Sequence, residues 1–454
     1  MTVRGGALPT LVGCGVVLVA SLATASRMDA RGEAGVFVIL MMTSAAAYVG
    51  ALAVVRRGPP AGGRALAACV AIGVAARVLV AGGAPLVSDD VYRYLWDGRV
   101  QQFGLSPYEA VPDDPALAGL HTAATRRIDP TSAVLPSLYP PLAQRFFLAV
   151  TAVDDSVAAM VAAVVLCDLL TLLVVWRWLL ATRRSPWWML AYAWHPLVVL
   201  ESAAGAHVDI LGTLLVAAGA WALVRRRPLA AALAVAGAVA VKFLPLVLLP
   251  LLWRRVRVRH AVLAVAAVVL LYLPFAAPDG ALPIGSLATY AAQWRFNGPL
   301  FRGLAAWIGV PGAVAAAVGA GLAAALAARR RLAPEDPAAW AWPLGVTVAF
   351  LPAVYPWYLV WMTPFLTSRA VAPLAAWTLA APLTYLVWTS ELAGRGWVLP
   401  LWVEPVEYGL VAAVAACVWL GVPRGGVRAG ASSGPGRSVD PGQAAASTRA
   451  GPRY

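Results

Sequence analysis

Four groups of residues in this chain carry side chains that could do chemistry. The first is Ser88-Asp89-Asp90-Val91-Tyr92-Arg93-Tyr94-Leu95-Trp96-Asp97. A carboxylate here could take a proton from a hydroxyl, and two adjacent carboxylates raise each other's pKa. A plainer reading is a helix start, with Ser88 as cap and the acids favoured by the helix dipole. The second group is Trp194-His195-Pro196, Glu201 and Gly205-Ala206-His207-Val208-Asp209. His207 and Asp209 are two apart, so a regular helix separates them, but at a helix start both could face one cavity. The alternative is a capping Asp beside a bystander His. Zinc is a poor fit: the chain has no HExxH and only 4 histidines. The third group is cationic: Lys242 in Lys242-Phe243-Leu244-Pro245, and Arg295 in Gln293-Trp294-Arg295-Phe296-Asn297. Either could bind an anionic head group, although Arg295 could also be a solvated loop residue. The fourth is Tyr355-Pro356-Trp357-Tyr358 with Trp361 one turn on. Its rings could stack on a sugar or sit in an interfacial belt.

These groups are set in an apolar chain. It has 454 residues, 61% of them hydrophobic and 12% charged, with a mean hydropathy of +0.76. A soluble protein of this length needs more charge to cover its surface, so the composition points to a membrane protein. The runs 8–25, 36–55, 66–84, 156–181, 262–277 and 403–420 are each long enough, or nearly so, to cross a bilayer core, which takes roughly 20 apolar residues. The net charge of +14 does not point to nucleic acid. The arginines fall in short clusters between apolar runs, the pattern of loops held on the cytoplasmic side. The four cysteines, Cys14, Cys69, Cys167 and Cys417, lie within apolar segments with no CxxC spacing, so neither a disulfide nor a zinc site is expected. The first run lacks a small-residue cleavage site and reads as a retained helix.

Placing the clusters Arg56-Arg57 with Arg64, Arg183-Arg184, Arg225–Arg227, Arg254–Arg259, Arg329–Arg331 and the tail on one side fixes a topology. Both termini are then cytoplasmic, and 85–138 is a large outer loop holding Asp89, Asp90, Asp97, Glu109, Asp113, Asp114 and Asp129, a third of the chain's 21 carboxylates. A loop of this length is usually functional. Val91, Tyr94, Leu95 and Gly98 share a helical face, so an amphipathic helix is expected at its start. Helices 187–203 and 206–224 put Glu201–Asp209 at an outer turn. The stretch between Arg227 and Arg254 must return to the side it left, so it is read as a hairpin of two short helices turning near Lys242, lining a cavity because a lone Lys in lipid is costly. Later crossings are expected at 260–277, 301–328, 338–354, 355–367, 371–388 and 404–421, for a total of about 13 helices. The run 141–153 is short for a span and is expected to lie along the outer surface or dip in. The domain reading is 1–423 as one transmembrane unit and 424–454 as a disordered basic cytoplasmic tail.

Taken together, Asp89-Asp90-Val-Tyr-Arg-Tyr, Tyr139-Pro-Pro-Leu142, His195-Pro-Leu through Glu201, Gly205-Ala-His207-Val-Asp209, Lys242-Phe-Leu-Pro245 and Tyr355-Pro-Trp-Tyr358 resemble the GT-C membrane glycosyltransferases. The likeness is to the bacterial polyprenyl-phosphate-mannose-dependent enzymes, including the α-1,6-mannosyltransferase group and glycosyltransferase family 87. It runs over about 85–365 in the family's order and rests on order and topology together.

The resemblance implies an all-α polytopic membrane protein with a GT-C-type helix bundle. It implies a multi-pass enzyme of the bacterial inner membrane that moves a sugar, mannose first among the candidates, from a polyprenyl phosphate to a lipid or glycan acceptor. The active site would face outward and the anomeric centre would invert. Asp90 matches the family's base position, with Asp89 as its neighbour. His207, Asp209, Lys242, Arg295, Tyr355, Trp357 and Tyr358 are the expected substrate-binding residues, with Lys242, His207 and Arg295 on the leaving phosphate. No obligatory metal or other cofactor is implied. Arabinose, glucose or aminoarabinose on the same carrier are open alternatives. A lipid or solute transporter is the rival class, opposed by the lack of repeated halves and by the gathering of polar residues at one surface.

Overall fold

A computed structural model describes residues 7–82, 87–276 and 283–421. The end of the expected helix 66–84, the start of the loop at 85, part of the outer loop 278–300 and the tail 424–454 lie outside the described residues. Among the described residues the protein is 74% helical with no strands. Eight helical segments among them are long and apolar enough to cross a membrane. They include α1 (Ala7–Ala25), α2 (Ala34–Arg57), α3 (Gly63–Val80), and, beyond α4 (Asp90–Gln102) and α5 (Pro141–Val153), α6 (Val157–Ala181). Next come two shorter apolar helices, α7 (Asp209–Val224) and α8 (Pro228–Val239), then α9 (Val258–Tyr272), α10 (Pro299–Arg331), α11 (Pro337–Ala349), α12 (Ala372–Ala380) and α13 (Val403–Leu420). The protein is an all-α polytopic membrane protein.

The remaining crossings expected from sequence are not regular helices. The stretch read as helix 187–203 is broken into a 3-10 turn (Pro186–Met189), two single helical turns (Leu190–Ala193 and Pro196–Val199) and a π turn (Leu200–Ala204). Pro196 cannot donate a backbone hydrogen bond, which stops the helix there. The stretch 355–367 is a 3-10 segment, Pro356–Phe365, with a proline at each end of its core. The hairpin after Arg227 does turn near Lys242, where α8 gives way to a 3-10 turn, Leu244–Leu248. Irregular backbone inside a bundle is tolerated where protein or a polar cavity satisfies it. α10 also breaks at Gly309, whose φ of 73° is a left-handed conformation that glycine adopts without strain.

Two elements position the site. α4 starts at Asp90 and is buried on nearly every side, well beyond the Val91–Tyr94–Leu95–Gly98 face expected from its periodicity. α5 packs along it, with Tyr94 stacked on Phe147 at 4.5 Å between ring centroids. At 13 residues, α5 is only about 20 Å long, too short to cross a hydrocarbon core about 30 Å thick. The rest of the large loop is tied down onto α4. Asp97 takes Arg93 at 2.8 Å, Gln144 at 3.0 Å and the Ser137 hydroxyl, while the Arg93 guanidinium also donates to the carbonyls of Ser132 and Leu135 at 2.9 Å. Asp114 and Asp129 are helix caps: Asp114 accepts from the Ala116 amide, and Asp129 from the amides of Thr131 and Ser132. Much of the loop's acidity is therefore structural.

Candidate active site

Asp89 and Asp90 part company in space. Asp89 reaches back to the α1–α2 connection and takes Arg31 at 2.8 Å, whose guanidinium lies over the Trp388 ring at 4.4 Å. Asp90 has no such partner. Its backbone N–H donates to Ser88 Oγ at 3.2 Å, but the N-cap position is Asp89 and carries no side-chain cap bond, so Ser88 is not the expected cap. No cation lies within salt-bridge distance of Asp90 except His207, whose Nε2 stands 3.9 Å from Asp90 Oδ2. The Asp90 side chain keeps 35% of its accessible surface and is half-buried. Burial pushes its pKa up, more than the neighbouring His207 and Lys242 pull it down; Asp209 and Asp89 add to the rise.

His207 is fully buried and tightly oriented. The π turn at Leu200–Ala204 adds a residue to the helical ladder, with Gly205 N donating to Leu200 O at 2.9 Å and His207 N to Glu201 O at 2.9 Å. Ala206 then takes φ 52°, an uncommon conformation for a residue with a Cβ. These bends fold the His207 ring back onto its own turn, with Nδ1 2.7 Å from Glu201 Oε2. That contact is a close charge pair off the N–H direction, and neither ring nitrogen has a hydrogen bond of good geometry. The other Glu201 oxygen accepts from the Tyr385 hydroxyl. A Cβ on residue 205 would come within 2.5 Å of His207 Nδ1, so only glycine leaves room for the pair. One face of the ring is covered by Trp357, with centroids 4.3 Å apart and 12° between planes.

Asp209 and Lys242, read from sequence as separate features, are partners. Lys242 Nζ lies 2.8 Å and 3.0 Å from the two Asp209 oxygens, and Trp361 Nε1 donates to Asp209 Oδ1 at 2.6 Å. The Trp361 ring lies where a Cβ on Gly212 would stand, at 1.9 Å, so this indole needs a glycine on α7. Lys242 Nζ also sits over the Tyr358 ring at 4.1 Å, and the Tyr358 hydroxyl meets that of Tyr290 at 2.5 Å. A half-buried lysine that looked isolated is thus compensated, and the cost of burying Asp209 is offset.

The Tyr355–Tyr358 aromatics form a parallel stack. Phe296, Tyr355, Trp357 and His207 follow one another at 4.7, 4.5 and 4.3 Å. Phe296 is held by a bridge to Ala353, and Asn297 beside it by Glu407 of α13, at 3.0 Å. These rings cover one another as well as any ligand. Arg295 stands apart from this cluster in its bonding. Its guanidinium donates to the carbonyls of Ala291, Ala292 and Trp294 and lies over Phe301, capping the short helix Leu287–Gln293.

The structure therefore gathers Asp90, His207, Asp209, Lys242, Trp357 and Tyr358 into one neighbourhood, turns Asp89 away to Arg31 and uses Arg295 at a helix end. Glu201, Tyr94 and Trp361, present in the sequence groups without an assigned role, join this neighbourhood, and Tyr385 and Tyr290 are added to it. Glu201 had a visible signal, an acid in the apolar run 196–204. Tyr290 and Tyr385 had none, since membrane-protein tyrosines are ordinary belt residues. No group of three or more His, Cys, Asp or Glu able to hold a metal occurs among the described residues.

No curated protein and no solved structure matches the chain. Residues 3–257 match the family model described as alpha-(1->6)-mannopyranosyltransferase, N-terminal domain. The match takes in Asp89, Asp90, Glu201, His207, Asp209 and Lys242, and stops short of Arg295 and the Tyr355–Tyr358 stack. It covers more than half of the 454 residues, and the chain belongs to the alpha-(1->6)-mannopyranosyltransferase family, a family of glycosyltransferases.

Proposed function

We propose that this glycosyltransferase moves mannose from a polyprenyl-phosphate carrier to a hydroxyl of a lipid or glycan acceptor, at the outer face of the bacterial inner membrane, with inversion at the anomeric carbon. Both termini, including the basic tail 424–454, lie on the cytoplasmic side in this reading, and residues 1–423 act as one transmembrane unit. The observation that carries it is Asp90: a half-buried carboxylate with no hydrogen-bonded side-chain partner, facing a buried imidazole 3.9 Å away. A general base has to be poised in this way, since a carboxylate already locked in an ion pair has little basicity to give.

In the reaction the acceptor oxygen attacks the anomeric carbon as its proton passes to Asp90. The bond from that carbon to the phosphate oxygen breaks, and polyprenyl phosphate leaves with the electron pair. The charge that develops on the phosphate calls for nearby positive groups. Lys242, which Asp209 holds in place, serves there, while the His207 imidazole faces Asp90 itself. Trp357 and Tyr358 fix the positions of His207 and Lys242 through their rings, and Tyr355 supports Trp357. Arg295 is proposed to act on the donor from the loop beside this cluster. The leaving group is taken to be stabilised by these protein cations with no obligatory metal.

The test uses the full-length protein in proteoliposomes with radiolabelled polyprenyl-phosphate mannose and a lipid acceptor fraction from the host. Transfer by wild type that Asp90→Asn abolishes, with donor binding retained, supports the reading. If wild type neither binds nor consumes the mannosyl donor, mannose is the wrong sugar; if it ignores every lipid-linked sugar, the reaction class falls.

A further inference from the structure

Glu201 is a fully buried carboxylate in an apolar stretch, and burying a charge is costly unless it is paired. The backbone around it goes to unusual lengths to provide that pairing. A π turn, a left-handed Ala206 and a residue at 205 that tolerates no Cβ all converge on one contact, His207 Nδ1 to Glu201 Oε2 at 2.7 Å. The second oxygen of Glu201 is taken by the Tyr385 hydroxyl, which arrives from a 3-10 turn, Ala381–Leu386, 184 residues along the chain. With Nδ1 facing Glu201 Oε2 as a close charge pair and one ring face covered by Trp357, the edge of the ring that remains is Nε2. It is buried, has no hydrogen-bond partner and lies 3.9 Å from Asp90 Oδ2.

We infer that Glu201, itself fixed by Tyr385, is a positioning residue that holds the His207 ring so that Nε2–H and Asp90 together grip a single substrate hydroxyl. The inference rests on the proposed glycosyl transfer. A carboxylate next to His Nδ1 accepts from Nδ1–H, fixes the ring's orientation and favours the imidazolium, the form in which Nε2 also presents a proton outward. Asp90 accepts a proton and His207 Nε2–H donates one, so the group that suits both is one that donates and accepts at the same atom. A hydroxyl does this. A protonated amine does not, having no lone pair to accept with. Glu201 touches no substrate in this arrangement; its effect travels through His207. The groups facing His207 are Glu201 from the π turn, Asp90 from α4, Asp209 at the start of α7 and Trp357 from the 3-10 segment.

The experiment measures steady-state transfer in proteoliposomes, with polyprenyl-phosphate mannose as donor, for wild type, Glu201→Gln, His207→Gln, the double variant and Tyr385→Phe. Removing a group that orients a reacting hydroxyl should lower kcat about 100-fold for Glu201→Gln, with donor KM within about threefold of wild type. Residues that act as one unit are non-additive, so the double variant should be within about threefold of His207→Gln alone. A purely structural role for Glu201 would instead give multiplying losses. Should Glu201→Gln not fold, Tyr385→Phe carries the test with a loss of about 3- to 10-fold in kcat at unchanged donor KM, the scale of one lost hydrogen bond. Wild-type kcat in Glu201→Gln, or in Tyr385→Phe where that variant stands alone, overturns the inference while Asp90→Asn still abolishes turnover. If wild type transfers no lipid-linked sugar, the proposed function and this inference fall together.

Discussion

Two clusters of buried charge in this protein look alike in sequence and differ in how completely they are satisfied. In the first, Arg77 on α3 and Asp168 on α6 are both fully buried. Arg77 Nε and Nη2 donate to the two Asp168 oxygens at 2.6 and 3.1 Å, and Nη1 donates to the carbonyls of Gly73 and Ala193 at 2.8 and 2.6 Å. Ser202 donates to Asp168 at 2.7 Å. Each charged atom in the pair has a partner. In the second cluster, Asp90 has no hydrogen-bonded side-chain partner and His207 Nε2 has none either. The comparison separates structure from chemistry: a saturated pair ties helices together, whereas an unsaturated one holds capacity for a substrate. The two are linked, because the saturated pair grips Ser202 in the same π turn that carries Glu201.

The largest effect expected from breaking this contrast is on rate. Asp90→Asn should lower kcat by about 100- to 10,000-fold, the usual contribution of a general base, with the protein's thermal stability in detergent close to that of wild type. Loss of fold in Asp90→Asn would place Asp90 among the structural charges.

The converse change tests the saturated cluster. Arg77→Met leaves Asp168 buried with Ser202 as its remaining donor, and removing one partner of such a pair typically costs ~3–5 kcal/mol. We expect a steep drop in folded yield and thermal stability, with part of it recovered in Arg77→Met/Asp168→Leu, where no uncompensated charge remains. A double variant as unstable as the single one would contradict the assignment.

A pH profile sharpens the contrast further. Burial raises the Asp90 pKa, and a base must be deprotonated to work. Activity should therefore fall as pH drops through that raised value, on an acid limb above the ordinary carboxylate range. Lys242 holds the Asp90 pKa down. Lys242→Gln removes that cation and leaves the Asp209 charge uncompensated, and both changes move the limb to higher pH. The kcat/KM profile of the two proteins measures this, and coincident acid limbs would contradict it.

The smallest effect is expected next door. The Arg31–Asp89 pair is partly exposed at both ends, and such pairs are worth about 0–1 kcal/mol. Asp89→Asn should keep kcat within about threefold of wild type. A loss on the scale of Asp90→Asn would instead make Asp89 the base.

Much of the architecture was legible in the residues. The composition, the apolar runs and the arginine clusters are enough for a polytopic helical protein, and α1, α2, α6 and α13 fall within a residue or two of the runs read from sequence. The turn near Lys242 and the shortness of α5 were also legible, and bilayer thickness sets a length that 13 residues do not meet. The 187–203 and 355–367 stretches were misread as regular helices. Hydropathy reports how apolar a segment is and says little about whether prolines and a π turn break its backbone once neighbouring helices shield it.

Sequence alone determined that carboxylates, a histidine and a lysine would stand at the boundary of an apolar bundle, because the positions of charged residues between apolar runs are a one-dimensional property. Tertiary structure alone decided which of them are spent on each other. Asp89 and Asp90 are adjacent in the chain, yet one meets Arg31 across 58 residues and the other faces His207. Asp209 and Lys242 are 33 residues apart and form an ion pair. Glu201 joins Tyr385 across 184 residues. Coulomb and hydrogen-bond energies depend on distances of a few ångströms, and those distances are set by how helices pack, which no local pattern of residues encodes.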